Sequence, residues 1–215
     1  AAAAAASGGF DDELVAVTPP GAAPVSADES IRPGTTLERL AGLAAVFGTD
    51  EMRARFPDID WSVTAGNSSQ ITDGASVLLL MSEERAAAFG LRPRARIHAS
   101  AVVGDDPQLM LTGPIAATTK VLARAGLTLR DIDTVEVNEA FASVPLAWLA
   151  EHPYDEERLN PRGGAIALGH PLGASGARIM TSMLHHLEQT GGRYGLQTIC
   201  EAGGMANATI LERLG

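Results

Sequence analysis

A layered α/β fold with a mixed five-stranded sheet is predicted by three observations. From Ile97 onward, short β-branched runs alternate with longer segments of helical spacing. The alternation ends in two consecutive strands, Gly195–Ile199 and Ala206–Leu211, which adds an antiparallel pair to an otherwise parallel pattern. Glycine or aspartate turns punctuate nearly every junction.

Taken in order, the chain opens on Ala1–Ala6. Six alanines favour helix but are too few to hold one alone, so the run reads as the end of a helix that begins outside this sequence. Residues 18–33, rich in Pro, Gly, Ala and Ser, read as an irregular surface segment. Leu37, Leu40, Leu43 and Phe47 recur at helical spacing behind Thr35 and Thr36, which predicts a helix over 35–47. A charged loop, 48–60, leads to Trp61–Gln70 and then to an apolar run from Ala75 to Ser82. Ile97–Val103 is the first strand, 114–125 a helix stopped by Gly126, and Thr134–Val137 the second strand. A helix from Ala140 to about Glu151 follows, then a Gly-rich strand at Gly164–Leu168. The helix over 174–189 repeats Ile179, Met183 and Leu187 every fourth residue. The two closing strands flank the turn Cys200-Glu201-Ala202-Gly203-Gly204. No short-period repeat is present.

Composition excludes several function classes. A chain of 215 residues with 46% hydrophobic content can bury a real core. A formal net charge of -10, with the positive side chains scattered, leaves no footprint for nucleic acid. Those positive side chains are fifteen arginines and Lys120, which suits fixed pairing better than proton transfer. The longest charge-free apolar stretch, 140–150, falls well short of the roughly 20 residues of a membrane span. No signal peptide is recognisable. A single cysteine, Cys200, cannot close an internal disulfide and fits a reducing, cytoplasmic setting.

Reactive groups concentrate at three strand–helix junctions, where α/β folds place their sites. At Asn138-Glu139-Ala140-Phe141, Asn138 could cap the following helix or orient a water or oxyanion. The stretch 163–176 carries five glycines and leads into a helix N-terminus. It is neither G-x-G-x-x-G nor a Walker loop. Within it His170, between Gly169 and Pro171, is either a structural histidine or a base and oxyanion donor. The other histidines sit in a strand (His98), at a helix end (His152) or in a helix (His185, His186). Cys200 is either inert packing or a thiol tuned toward thiolate by the backbone N–H groups of the adjoining turn. No HExxH or Cys/His cluster points to a metal.

Taken together, Asn138-Glu139-Ala140-Phe141, Gly169-His170-Pro171-Leu172-Gly173-Ala174-Ser175-Gly176 and Cys200-x-x-Gly203-Gly204 resemble the thiolase family of acyl-CoA acyltransferases. Residues 63–74 and Phe10-Asp11-Asp12-Glu13 support the resemblance, which covers nearly the whole chain. It implies an α/β/α C-terminal thiolase domain over 86–215, the last strand and helix of the N-terminal half over 61–85, and the tail of a CoA-binding loop domain over 1–60. It implies covalent ping-pong chemistry on 3-ketoacyl-CoA and coenzyme A in lipid metabolism such as fatty acid β-oxidation, with no covalently bound cofactor and with a homodimer or homotetramer as the assembly. His170 would activate a nucleophilic cysteine and bind the thioester oxygen, Asn138 would hold a water at that oxyanion site, and Cys200 would be the acid/base at the α-carbon. Ala202 and Gly203 would offer backbone N–H groups to a second oxyanion site, and Ser69 would lie near the CoA tail.

Two departures from the family pattern bear on activity. Ala202 stands where relatives commonly have glycine, which leaves its N–H usable if its φ is negative. The nucleophile-bearing N-terminal part is missing and no second cysteine replaces it, so this chain alone is expected to be inactive. The alternative is a non-catalytic, thiolase-like acyl-CoA-binding or partner subunit, against which the joint presence of His170, Asn138 and Cys200 argues. A ketoacyl synthase of the same fold would carry a second histidine in place of Cys200.

Overall fold

Regular structure forms where β-branched runs and period-four apolar residues lie, and glycines or capping hydroxyls end it. The computed structural model describes residues 1–215. In order these are α1 (Ala2–Ala6), α2 (Leu37–Ala41), α3 (Asp50–Arg55), α4 (Glu83–Ala88), β1 (Ala95–Gly104), α5 (Gly113–Ala125), β2 (Thr134–Val137), α6 (Ser143–Glu151), α7 (Ala165–Leu168), α8 (Ser175–Thr190), β3 (Tyr194–Glu201) and β4 (Met205–Arg213). Thr36, Thr49 and Ser82 each accept a hydrogen bond from the backbone N–H three residues on, the N-cap geometry of their residue types. No helix is long and apolar enough to cross a membrane.

The sheet is mixed, as expected, but has four strands in the order β1-β4-β3-β2 rather than five. β1 and β3 flank β4 antiparallel, and β2 pairs with β3 in parallel. The missing strand is Gly164–Leu168, whose residues 165–168 coil into α7. Leu168 and Gly169 N–H return to the carbonyls of Gly164 and Ala165. The free edge of β2 has no ladder left for a fifth strand, because Asn160 occupies it: its N–H bonds Val135 O, and its side chain bonds both Val137 N–H and Val137 O.

Two other expectations are corrected. The helix over 35–47 shrinks to α2, which ends at Gly42, and Leu37 is 81% exposed, so no apolar face is buried to sustain more turns. The strand expected within 61–85 does not form. Residues 73–82 pair with no neighbour, and Val77 and Leu79 stand open to solvent. A strand exists only as part of a ladder.

Strand alternation divides the sheet into two unlike faces. Val135, Val137, Leu196, Cys200, Ala206, Ala208 and Ile210 point to one side and form the core with Ala117 and Val121 of α5 and Val144 and Trp148 of α6. Glu136 and Gln197, partners in the parallel ladder, point to the other side, where α8 lies with Met183 and Leu187 pressed against Gly195. Trp148 is fully buried and donates its Nε1–H to Thr118 Oγ1 at 2.9 Å, tying α6 to α5. Trp148→Ala should therefore cost about 3–5 kcal/mol, read as a lowered urea midpoint in equilibrium unfolding. A loss below about 1 kcal/mol would show that α6 is not part of the cooperative core.

Candidate active site

Three chain segments that are remote in sequence meet at the carboxyl ends of the parallel strands β2 and β3. Asn138 continues the ladder one residue beyond β2, its N–H bonding Thr198 O, and Cys200, two residues past Thr198, is the penultimate residue of β3. The α7–α8 connection brings His170 to the same end. A ribbon over residues 67–72 stitches the two loops together. Ser69 N–H bonds Ala140 O and Ala142 N–H bonds Asn67 O on one side. On the other, His170 N–H bonds Gln70 O and Gln70 Nε2 bonds Ile166 O. Ser69 itself is half-buried within that ribbon.

Hydrogen bonding sets the protonation of His170. Ser175 Oγ lies 2.6 Å from His170 Nδ1 and 3.1 Å from Pro171 O, and the arrangement in which Oγ donates to Pro171 O and accepts from Nδ1–H uses both contacts. The opposite nitrogen, Nε2, then carries a lone pair and accepts from Asn138 Nδ2 at 3.3 Å. Burial, assisted by the Arg178 charge, lowers the His170 pKa, so the ring is neutral with a bare Nε2, the form a general base requires. Asn138 is 2% exposed and does not cap α6, whose N-cap is Ala142, because its amide turns away to His170. Its Oδ1 is buried without a protein partner.

Cys200 makes no hydrogen bond with either group. It is 9% exposed, part of the buried apolar core and opposite Ala206 in the β3–β4 ladder. Burial, with a smaller contribution from the Glu201 carboxylate, raises its pKa. The thiol is thus held protonated rather than tuned toward thiolate, because desolvation outweighs the adjoining turn. That turn, 202–204, closes the β3–β4 hairpin, and Ala202 has no positive φ. Gly203 and Gly204 both have φ of +80°, and a Cβ at Gly204 would meet Asp105 O at 2.7 Å. No group of three or more His, Cys, Asp or Glu is placed to hold a metal ion.

Behind Asn138, between β2–β3 and α8, lies a buried polar layer that sequence spacing did not reveal. Burial raises Glu136 to about 8 despite the attraction of Arg178. Arg178 is itself lowered by burial, with both Nη atoms lacking a hydrogen-bond partner. Ser182 Oγ donates to Glu13 Oε1 at 2.9 Å, which anchors the N-terminal segment to α8. Ser175 and Gln70 are the other site-forming residues without an assigned role in the sequence reading. Both lie inside recognisable motifs, and only their side-chain contacts reveal what they do.

The family model for the thiolase C-terminal domain matches residues 91–213, and that for the thiolase N-terminal domain matches residues 1–84. A steroid 3-ketoacyl-CoA thiolase of Mycobacterium tuberculosis is 50% identical over 212 residues, covering 99% of this chain and 49% of that protein. A 3-oxoadipyl-CoA/3-oxo-5,6-dehydrosuberyl-CoA thiolase of Escherichia coli is 50% identical over 189 residues, covering 87% of this chain and 45% of that protein. Among solved structures, the Bacillus anthracis acetyl-CoA acetyltransferase superposes with a TM-score of 0.90 at 41% identity, covering 100% of this chain and 52% of that one. Human mitochondrial 3-ketoacyl-CoA thiolase in complex with CoA gives 0.88 at 39% identity, covering 100% and 51%. The chain spans about half the length of the relatives it matches.

Two measurements follow from the site. Ser175→Ala removes the acceptor for Nδ1–H, so ring 15N shifts of His170 should show the Nε2–H tautomer appearing, with about 1 kcal/mol lost from stability. An unchanged Nδ1–H tautomer would remove Ser175 from the assignment. Glu136 generates a pH dependence of definite sign. Below the ordinary carboxylate range it is protonated folded and unfolded alike. As pH rises toward about 8 the folded state keeps a proton the unfolded state has released, so stability falls, and above that it levels off. Glu136→Gln should match the parent's urea midpoint at pH 4 and exceed it at pH 8, and parallel midpoints at both would contradict the buried carboxyl.

Proposed function

The chain belongs to the thiolase family, and we propose that it carries the acid–base half of an acyl-CoA thiolase, cleaving 3-ketoacyl-CoA with coenzyme A or condensing an acyl-CoA with acetyl-CoA. The observation that carries this reading is the Asn138–His170–Ser175 hydrogen-bond line, which leaves a neutral imidazole with its lone pair at the carboxyl end of the parallel strands.

In the cleavage direction, His170 Nε2 takes the proton of a nucleophilic thiol, whose sulfur attacks the 3-keto carbon. The carbonyl oxygen gathers negative charge beside His170 and a water held by the Asn138 amide. The C2–C3 bond breaks, an acyl thioester remains on the nucleophile, and the Cys200 thiol gives its proton to the departing α-carbon. A thiol kept protonated by burial is the form this step needs. The backbone N–H groups of Ala202 and Gly203 stabilise the enolate oxygen, without which an α-proton is too weakly acidic for sulfur to remove in the reverse direction. Coenzyme A then takes the acyl group: its thiol gives its proton to the Cys200 thiolate, its sulfur attacks the acyl carbon, and the nucleophile leaves with the proton His170 held. Ser69, in the ribbon between the two loops, borders the thioester.

The nucleophilic thiol must be supplied to this site, because Cys200 is the one cysteine among the 215 residues. Ile71, in the ribbon beside the site, is 97% exposed, which supports a covering partner there. The gap between the two family-model matches, residues 85–90, supports a junction between the 61–85 segment and a C-terminal domain over 86–215. A purely binding role has no comparable observation behind it, since it does not call for a neutral, oriented imidazole.

Incubated alone with an acyl-CoA, the chain should show no stable acyl adduct by intact mass. Combined with a thiolase N-terminal half bearing a reactive cysteine, it should cleave 3-ketoacyl-CoA in the presence of coenzyme A. His170→Ala or Cys200→Ala should then lower kcat by about 10²–10⁴. Wild-type turnover in either variant, or a reconstituted assembly that binds coenzyme A without cleavage, would overturn the reading.

A further inference from the structure

Glu139 follows Asn138 directly, yet the chemistry above gives it no task. Its carboxylate joins two loops: Oε1 accepts from Asn160 Nδ2 at 3.1 Å and Oε2 accepts from Ile166 N–H at 3.0 Å. Asn160 is the residue that closes the free edge of β2, and it does so in the left-handed region at φ +46°, which asparagine tolerates better than most residues. Ile166 opens α7, the short helix that delivers His170. Gly164 packs directly against the Glu139 carboxylate, which a Cβ there would strike.

We propose that Glu139 is a positioning residue, a strap that fixes the separation at which Asn138 meets His170. The pair is 32 residues apart in sequence and joined by a single 3.3 Å contact, so its geometry depends on what holds each loop. On one side Asn138 lies between two anchored neighbours, Val137 tied to Asn160 and Glu139 tied to Asn160 and Ile166. On the other, the same carboxylate grips the turn from which His170 emerges. The residue type fits the task. Both partners are N–H donors, and a carboxylate accepts on both oxygens with charge-assisted strength. A glutamine would turn an NH₂ toward one of the donors, and an aspartate is one methylene too short to span both.

Whether this positioning serves acyl transfer rests on the function proposed above, but its test does not, because it reads the imidazole directly. In the 215-residue chain, Glu139→Gln should move the His170 Nε2 15N resonance toward that of an unbonded pyridine-type nitrogen, while Nδ1 keeps its Ser175-bonded shift. A merely structural disturbance would move both nitrogens or neither. Glu139→Asp carries the same readout should the first variant fail to fold. A folded variant with Nε2 unmoved overturns the proposal, and loss of fold in both variants overturns it too, by assigning Glu139 to fold stability.

Discussion

Two parallel neighbours cannot be joined by a hairpin, and most of the site follows from that constraint on β2 and β3. The connection between them must cross the sheet, here through α6, α7 and α8, and return in register with Val137 beside Thr198. A crossover of that kind leaves β2 at its carboxyl end and returns to β3 at its amino end, so the loop after β2 lies beside the end of β3. Asn138 is there because β2 stops, Cys200 because β3 stops, and His170 because α7 and α8 need a turn between them. The ribbon over 67–72 then locks the arrangement with backbone hydrogen bonds, which do not depend on side-chain identity.

The two faces of the sheet are built on opposite principles. The α5–α6 face is dry and apolar, and hydrophobic burial around Trp148 and Val121 stabilises it in the ordinary way. The α8 face buries Glu136, Gln197, Arg178 and Ser182 just behind Asn138. Burying such groups costs free energy that an apolar layer would not. The layer also surrounds His170 with low-dielectric protein and the Arg178 charge, both of which favour the neutral ring. Stability is spent on that side of the sheet and recovered on the other.

Much of this was legible in the sequence, for identifiable reasons. His170, Asn138 and Cys200 stand in short motifs, and α5 and α8 announce themselves by period and by the glycines that end them. Gly164–Leu168 misled because four apolar residues after glycines read equally as strand or as a turn of helix. The carboxylate of Glu139, reaching across 27 residues to Ile166 N–H, decided the matter. For Asn138 the sequence left a helix cap and a site role both open, because its partner lies in a different loop. The run Ala75–Ser82 has strand composition without a strand to pair with, and composition cannot show the absence of a neighbour. Ser175 and Asn160 act through side-chain hydrogen bonds to residues in other turns and strands, which spacing does not encode.

The close approach of Gly204 to the 105–106 loop ties two distant stretches of chain into one mechanical unit. Asp105 N–H bonds Gly204 O at 2.6 Å, and the 105–106 backbone leaves no room for a side chain at that position. The loop is exposed and acidic, whereas the hairpin it presses against carries the Ala202 and Gly203 amides. An insertion, deletion or docking event at the solvent-facing loop would therefore be transmitted to those amides with no rearrangement of the core. Variation in loop length there should track variation in the hairpin it rests on, whose Ala202 and Gly203 are themselves exposed.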